Sequence, residues 1–366
     1  SASVDISSPN TVLGGRSRTA SLCDGDCNVI AGESGNSNQV GVLLRFGTIT
    51  STGFNDLPST SAATAGAMQG NFIGIGQTGQ NFPPALKTGR LILIVSTDAA
   101  TPPAPAVPHV IPSSGGYSIG GLDVAHQVDV QASNVISGAK FRDGIDCDTA
   151  FGCASGVRVY GNFIGTGPTG NEATDAAGII YGNARDGVQA EGAQSIDIQA
   201  NVISGNGNNG VNIASISNDS IIRGNIIGLT ANGDPDGNGW YSTAFPAGNP
   251  NVGMGGATVN ANAASGNGVS IGGFGCATPN RDCANLRIDG NVIAVSARAG
   301  IIALNGTGGM TIQGNHVGIT MGGVARPNGA AGLIVMTDNN LVTDNVIATN
   351  GGPGITILRN TNTAIG

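Results

Sequence analysis

Apolar and polar residues alternate over short stretches of this chain, and the alternation breaks at an asparagine. In SIDIQANVIS (195–204), Ile196 and Ile198 fall on one face and Asp197 and Gln199 on the other, the period of a half-buried strand. The same design recurs in VRVYGNFIGTG (157–167), SIIRGNIIGLT (220–230), LRIDGNVIAVS (286–296) and MTIQGNHVGIT (310–320). Alternation is followed by a residue that is usually Gly or Ala, then Asn, then an apolar pair. Gly and Asn tolerate left-handed backbone angles, so this step predicts a corner and a second short strand. A further phrase follows at short distance: GVNI (210–213), GVSI (268–271), GIIAL (300–304), GLIV (332–335) and GITIL (354–358) each set Gly before a brief strand. Asn201 to Asn225 is 24 residues, and so is Asn291 to Asn315.

Strand, corner, strand and Gly turn, repeated about every two dozen residues, describe one coil of a β-solenoid. No segment carries a convincing helical apolar period, and two-residue hairpin signatures are not systematic. The expected fold is all-β, a parallel β-helix of about a dozen coils forming one domain over 1–366. At a strand spacing of ~4.8 Å the rod would be roughly 55–60 Å long. Coil stacking would align the corner residues Asn28, Asn71, Asn134, Asn162, Asn201, Asn225, Asn291, Asn315 and Asn345 into an amide ladder.

The phrases NVISGNGNNGVNI (201–213), NFIGTGPTGN (162–171), NVIAGESGN (28–36), NVISG (134–138) and NVIATNGGPGI (345–355) resemble the right-handed parallel β-helix repeats of large bacterial secreted and cell-surface proteins. The architecture is similar to that of pectin lyases, polygalacturonases and phage tailspikes. The resemblance therefore implies a fold and leaves activity open.

Two segments leave the pattern and are expected as loop insertions. Residues 81–125 include the Pro-rich TPPAPAVPHVIP, which cannot join a central ladder, and 232–285 are Gly/Asn-rich with the single Trp of the chain. Loops on a rigid scaffold are frequent binding elements. The two termini align with each other: NTVLG (10–14) and NTAIG (362–366) read as one position in successive coils. Neither shows an amphipathic capping helix, and an uncovered coil offers a row of free N–H and C=O groups. An end-to-end contact is expected, with Asn10, Thr11 and Leu13 of one copy against Asn362, Thr363 and Ile365 of another. The competing explanations are a fragment of a longer solenoid and a cap outside this sequence.

Composition supports folding and narrows the partners. Sixty-two glycines would suggest disorder, but 40% hydrophobic residues and a mean hydropathy of +0.10 argue against it. The net charge is −8, with 15 Lys+Arg against 23 Asp+Glu and no basic run, so a nucleic-acid partner is not expected. The strongest apolar run, LILIV (91–95), is too short to cross a membrane. Six cysteines form three close pairs, Cys23/Cys27, Cys147/Cys153 and Cys276/Cys283, read as three disulfide-closed loops made in an oxidising compartment. Metal binding by these pairs is the weaker reading, because zinc spacings and neighbouring histidines are lacking. An extracellular or cell-surface location follows.

The favoured function is a structural solenoid that self-associates head to tail into a filament or surface fibre, its partner a copy of itself, with no catalytic residues. The first alternative is a polysaccharide lyase or hydrolase. FRDGIDCDTAFGC (141–153) and NARDGVQAEG (183–192) both carry Arg-Asp-Gly before a strand, so Arg142, Asp143, Asp146, Arg185 and Asp186 would form its site, with Asp148 and Glu191 near. The resemblance implies a basic proton abstractor with carboxylate-held calcium in lyases, or paired carboxylates in hydrolases. Against this, Asp-Gly is ordinary turn chemistry and adjacent Arg and Asp form solvated pairs worth little. A second alternative is a glycan-binding adhesin, with Trp240, Tyr241 and Phe245 stacking on sugar rings, packing their own loop, or docking a subunit. DPDGNG (234–239) fits half a calcium loop, with Asp234, Asp236 and Asn238 as ligands and Gly239 at the turn, but Phe245 stands where the closing acid belongs. Apart from that calcium no cofactor is expected. His109, His126 and His316 are too dispersed to form a catalytic arrangement.

Overall fold

The computed structural model describes residues 2–16, 18–31, 39–46, 65–82, 89–96, 116–125, 128–147, 155–192, 194–214, 218–239, 266–272, 283–304, 307–358 and 363–366. Among them no helix occurs, and the sheets are built of parallel pairs. The first sheet runs from Ala2–Ile6 to Ile355–Ile357 and has ten strands. The second, also of ten, runs from Val12–Gly14 to Ala364–Ile365, and the third, of nine, from Val29–Ile30 to Val346–Ile347. The chain visits the three in constant order, so the fold is a parallel β-helix, with the right-handed crossover that parallel strands adopt.

The alternating phrase supplies the second sheet, the apolar pair after Asn the third, and the Gly-led phrase the first. At the corner the left-handed conformation falls on the residue before Asn, as at Gly161 (φ 64°), Gly224 (φ 61°) and Ala200 (φ 54°). Inward residues then stack coil upon coil. Leu13, Met68, Ile119, Val159, Ile198, Ile222, Ile288, Ile312, Val342 and Ile365 form one column of the second sheet. Ile203, Ile227 and Ile293 belong to the matching column of the third sheet. Each fully buried aliphatic side chain contributes roughly 1.5–3 kcal/mol, and most of these are wholly buried.

Two expectations are corrected. Among the described residues two sheets have ten rungs and the third nine, against the dozen or so expected, which gives a height of roughly 48 Å. Small antiparallel excursions at Ile75↔Asn81, Leu122↔Val128, Thr174↔Ile180, Leu229↔Pro235 and Ile319↔Ala325 take up residues that a simple division assigns to coils. Nor are the two long segments insertions throughout. Arg90–Ser96 and Ser118–Gly120, within 81–125, and Val269–Ile271, within 232–285, are rungs of the main sheets. LILIV is thus an interior strand, paired on both sides. The Pro-rich stretch 101–112 lies outside the described residues.

The segment after the first second-sheet strand packs against the outer corner. Arg18 is 1% exposed, donates from Nε to Ser133 O at 2.9 Å and lies over the rings of Phe72 (5.2 Å) and Phe163 (5.7 Å). Burial lowers its pKa to about 10, opposed by the charges of Asp24 and Asp129. The Cys23–Cys27 disulfide, Cα–Cα 5.2 Å, closes the loop beside it.

Candidate functional site

All nine corner asparagines stand in one hydrogen-bonded column. Asn28 Nδ2 donates to Asn71 Oδ1 at 2.8 Å, and the relay continues through Asn134, Asn162, Asn201, Asn225, Asn291 and Asn315 to Asn345 at 2.9–3.0 Å. Most members also donate to a carbonyl of the preceding coil, as Asn201 does to Val159 O at 2.8 Å. Every step points the same way, from the lower-numbered coil to the higher. Because the amides are mostly buried, each step satisfies polar groups that water cannot reach.

The Arg-Asp-Gly segments do occupy equivalent positions. Asp186 N donates to Asp143 Oδ1 at 2.8 Å, and Arg185 N to Arg142 O at 3.1 Å. The two carboxylates do not face solvent: Asp143 is 0% and Asp186 1% exposed. They begin a column of their own, in which Asn209 donates from N (2.8 Å) and Nδ2 (3.0 Å) to Asp186 Oδ1, and Asn267 Nδ2 donates to Asn209 Oδ1 at 3.1 Å. Asp146, equally buried, pairs with Arg90 at 3.0 Å, while Arg185 Nη1 lies 4.0 Å from Asp143 Oδ2. The Arg90–Asp146 pair is buried on both sides, whereas at Arg185–Asp143 only the carboxylate is. Burial raises the pKa of Asp143, the charge of Asp186 raises it further, and Arg185 opposes both. Burial likewise raises Asp186 against the Asn209 amide and Arg185. Glu191 is half-buried and accepts from Gln189 Nε2 at 2.7 Å. Arg142 is half-buried, and Asp148 lies outside the described residues.

The three residues of the half calcium loop lie in different surroundings. Asp234 is exposed on a turn, where its carbonyl accepts from Thr230 N at 2.9 Å. Asn238 Oδ1 already accepts from Asn206 N and Nδ2, both at 3.0 Å. Asp236 is 1% exposed, and burial alone raises its pKa to about 8. Among the described residues no three His, Cys, Asp or Glu side chains gather to hold a metal ion.

Apolar side chains are exposed in the first coil and in the last two coils. Val12 (62%) and Val29 (40%) belong to the first, and Leu341, Val346, Ile357, Leu358 and Ile365 (53%) to the last two. The last two also carry a concavity of about 220 Å³ lined by Val342, Asn345, Ile347, Ile355 and Ile365. Leu13 and Ile365 share one interior column, and Val12 and Ala364 one outer column, so NTVLG and NTAIG are in register. Asn10 is exposed with φ 56°, Thr11 O accepts from Ala67 N at 3.0 Å, and Thr363 Oγ1 accepts from Asn340 Nδ2 at 3.3 Å. Asn362 lies outside the described residues, as do Trp240, Tyr241, Phe245, His109 and His126. His316 is a half-buried rung of the third sheet. Cys147 is disulfide-bonded, while Cys153 and Cys276, expected to pair with Cys147 and Cys283, lie outside the described residues.

A second column escaped the sequence reading. Asn183 Nδ2 donates to Asn206 Oδ1 (2.9 Å), Asn206 to Asn238 (3.0 Å), and, farther along, Asn328 to Asn350 (2.8 Å). The signal was present in the spacing: Asn206 and Asn350 follow the corner residues Asn201 and Asn345 by five positions. Elsewhere the antiparallel excursions lengthen that gap and hide it. The buried clamp at Arg18 had no comparable signal.

No known family model matches the chain, and no curated protein sequence does. Among solved structures it is similar to the Dettilon tailspike protein, with 15% identity and a TM-score of 0.49 over 98% of this chain and 55% of that one. It is also similar to the periplasmic alginate epimerase AlgG, with 11% identity and a TM-score of 0.43 over 90% of this chain and 61% of that one. A point mutant of the same epimerase gives 9% identity and a TM-score of 0.44 over 89% and 56%. The chain thus spans between half and two thirds of the length of each of these structures.

Proposed function

We propose that the chain is a structural β-solenoid that associates with copies of itself through its first and last coils, head to tail, into a filament or fibre. The observation that carries this reading is the pair of exposed faces whose residues lie in the same columns, Leu13 with Ile365 and Val12 with Ala364. A copy stacked in register continues the interior columns of the first and second sheets and covers Ile365, while the third sheet, one strand shorter, is left one rung short. An uncovered rung otherwise leaves free backbone groups beside apolar surface. The disulfide bonds fit an oxidising, extracellular setting. The burial of Asp143, Asp146 and Asp186 weighs against glycan turnover at the Arg–Asp cluster.

Sedimentation velocity over a range of concentrations tests the proposal. Assembly should grow with concentration and fail when a charge is placed in the interior column at a face, as in Ile365→Arg. Single rods at every concentration would reject it, and would leave the two faces to be covered by further coils of a longer polypeptide.

A further inference from the structure

Most coils pass from the second sheet to the third in two residues, as Gly161 and Asn162 do between Arg158–Tyr160 and Phe163–Ile164. Two coils spend far longer there. Residues 15–28 separate Val12–Gly14 from Val29–Ile30, and residues 121–134 separate Ser118–Gly120 from Val135–Ile136. The two insertions meet across the corner of the coil between them. Arg16 pairs with Asp129, Arg18 Nε donates to Ser133 O, and Gly70 N, on the coil between, donates to Ala132 O at 3.1 Å. Because Arg18 also lies over Phe72 and Phe163, residues 15–28 form a strap that grips three successive coils from outside. The Cys23–Cys27 loop seats the far part of this strap. Cys23 is buried in one apolar cluster with Phe72, Val135 and Phe163 of the third sheet, and its N donates to Gln77 O at 2.9 Å. Asp24, inside the loop, accepts from Thr19 N at 2.6 Å, and its charge acts on Arg18. Cys27 is only half-buried.

We infer that Cys23–Cys27 is a thiol-exchange site, attacked at Cys27, and that the bond latches the strap onto the three coils. An incoming thiolate reaches Cys27 Sγ, the more exposed sulfur. A new S–S bond forms to Cys27, the Cys23–Cys27 bond breaks, and Cys23 leaves as a thiolate that takes up a proton. A second thiol of the same kind then frees Cys27, and the two electrons come from the pair of thiols, which end as a disulfide. With the loop open, no covalent bond holds Asp24 near Arg18 or Cys23 in the Phe72–Phe163 cluster. Arg18, whose charge burial disfavours, moves out to water, and the strap leaves the coils. The substrate is a small thiol, and Asp24 and Asp26 within the loop favour a cationic one over an anionic one.

Treating the full chain with cysteamine, a cationic monothiol, and then with iodoacetamide tests the exchange. Mass spectrometry should find the mixed disulfide on Cys27 and the alkyl group on Cys23. An adduct on Cys23, or none on either residue, would overturn the site. The latch is tested separately by Cys23→Ser/Cys27→Ser, which opens the loop without a thiol and leaves the disulfide of Cys147 in place. Trypsin should cut this variant after Arg18 at least about tenfold faster than the unmodified protein. Arg90 and Arg223, inside strands paired on both sides, should stay uncut in both proteins. Equal rates at Arg18 would show that the strap holds without the bond, and would overturn the latch. Cutting at Arg90 and Arg223 as well would show that the bond supports the whole fold, and would overturn a local release.

Discussion

Asn238 and Asn328 hold the same corner position two coils apart, and the amide column they belong to is interrupted between them by Ser296. Ser296 has the backbone of a ladder residue: its N donates to Asn328 Oδ1 at 2.9 Å, and its carbonyl accepts from Gly329 N at 2.8 Å. Its Oγ is buried and has no hydrogen-bond partner among the described residues. The facing residue, Gly268, leaves space where a side chain would stand, as Gly210 does beside Asn238 and Gly300 beside Asn328. Ser296→Asn should join the two ladder segments and stabilise the protein by about 1 kcal/mol, read as a rise in the urea midpoint. A fall in the midpoint would show that the site cannot take the larger side chain.

Removing a central rung of the first ladder should cost far more than removing a terminal one. Asn201 accepts from Asn162 N and Nδ2 and donates to Asn225 Oδ1 and Val159 O. Asn201→Ala orphans all of these in the interior, and a loss of about 3–5 kcal/mol is expected. Asn345→Ala leaves fewer groups unpaired and should cost less than half as much in monomeric protein. Urea unfolding of both variants measures the difference.

Stability should fall as pH rises from about 4 to about 8. The pKa of Asp236 is raised by burial from 3.8 to about 8, and its Oδ2 is unpaired among the described residues. A carboxyl raised on folding binds more protons in the folded than in the unfolded chain, so its ionisation favours unfolding throughout that window. Asp143 and Asp186 are raised for the same reason and add to the slope. Asp236→Asn should flatten the dependence and raise the melting temperature at pH 8 more than at pH 5. A profile unchanged by the substitution would mean that Asp236 is not the group responsible.

Corner backbone geometry makes a third kind of demand. Ala200 is held at φ 54°, so Ala200→Gly should stabilise by about 0.5–1 kcal/mol despite the added freedom of the unfolded chain. Gly224→Ala, at φ 61° with open space around it, should cost about 1 kcal/mol. At Gly228 an added Cβ would lie 1.8 Å from Ala294 O, so Gly228→Ala should be several times worse. Thermal unfolding of the three variants should rank them in that order.

The coil, its corners and the nine-residue ladder were legible because each is a local phrase repeated with little change. Ile196 and Ile198 announce a buried face by alternation alone, and Asn201 marks its corner without reference to distant residues. The roles of Asp143 and Asp186 were not legible in the same way. Asp before Gly has the same local appearance in an exposed turn and in a buried column, and only stacking on Asn209 and Asn267 distinguishes them. The partner of Asp146 is Arg90, on the preceding coil, and no spacing rule connects the two. The rung count failed for a related reason: excursions such as Ile75–Asn81 are written in the same Gly-, Thr- and Asn-rich vocabulary as the corners themselves.

Electron microscopy of the 1–366 chain at neutral pH, without denaturant and over a range of concentrations, is the most direct test of stacking. Unbranched filaments with an axial repeat near the height of ten rungs, roughly 48 Å, and with a uniform polarity along each filament, are the expected result. Dispersed single rods of that height at the highest concentration, or pairs that never lengthen, would contradict it.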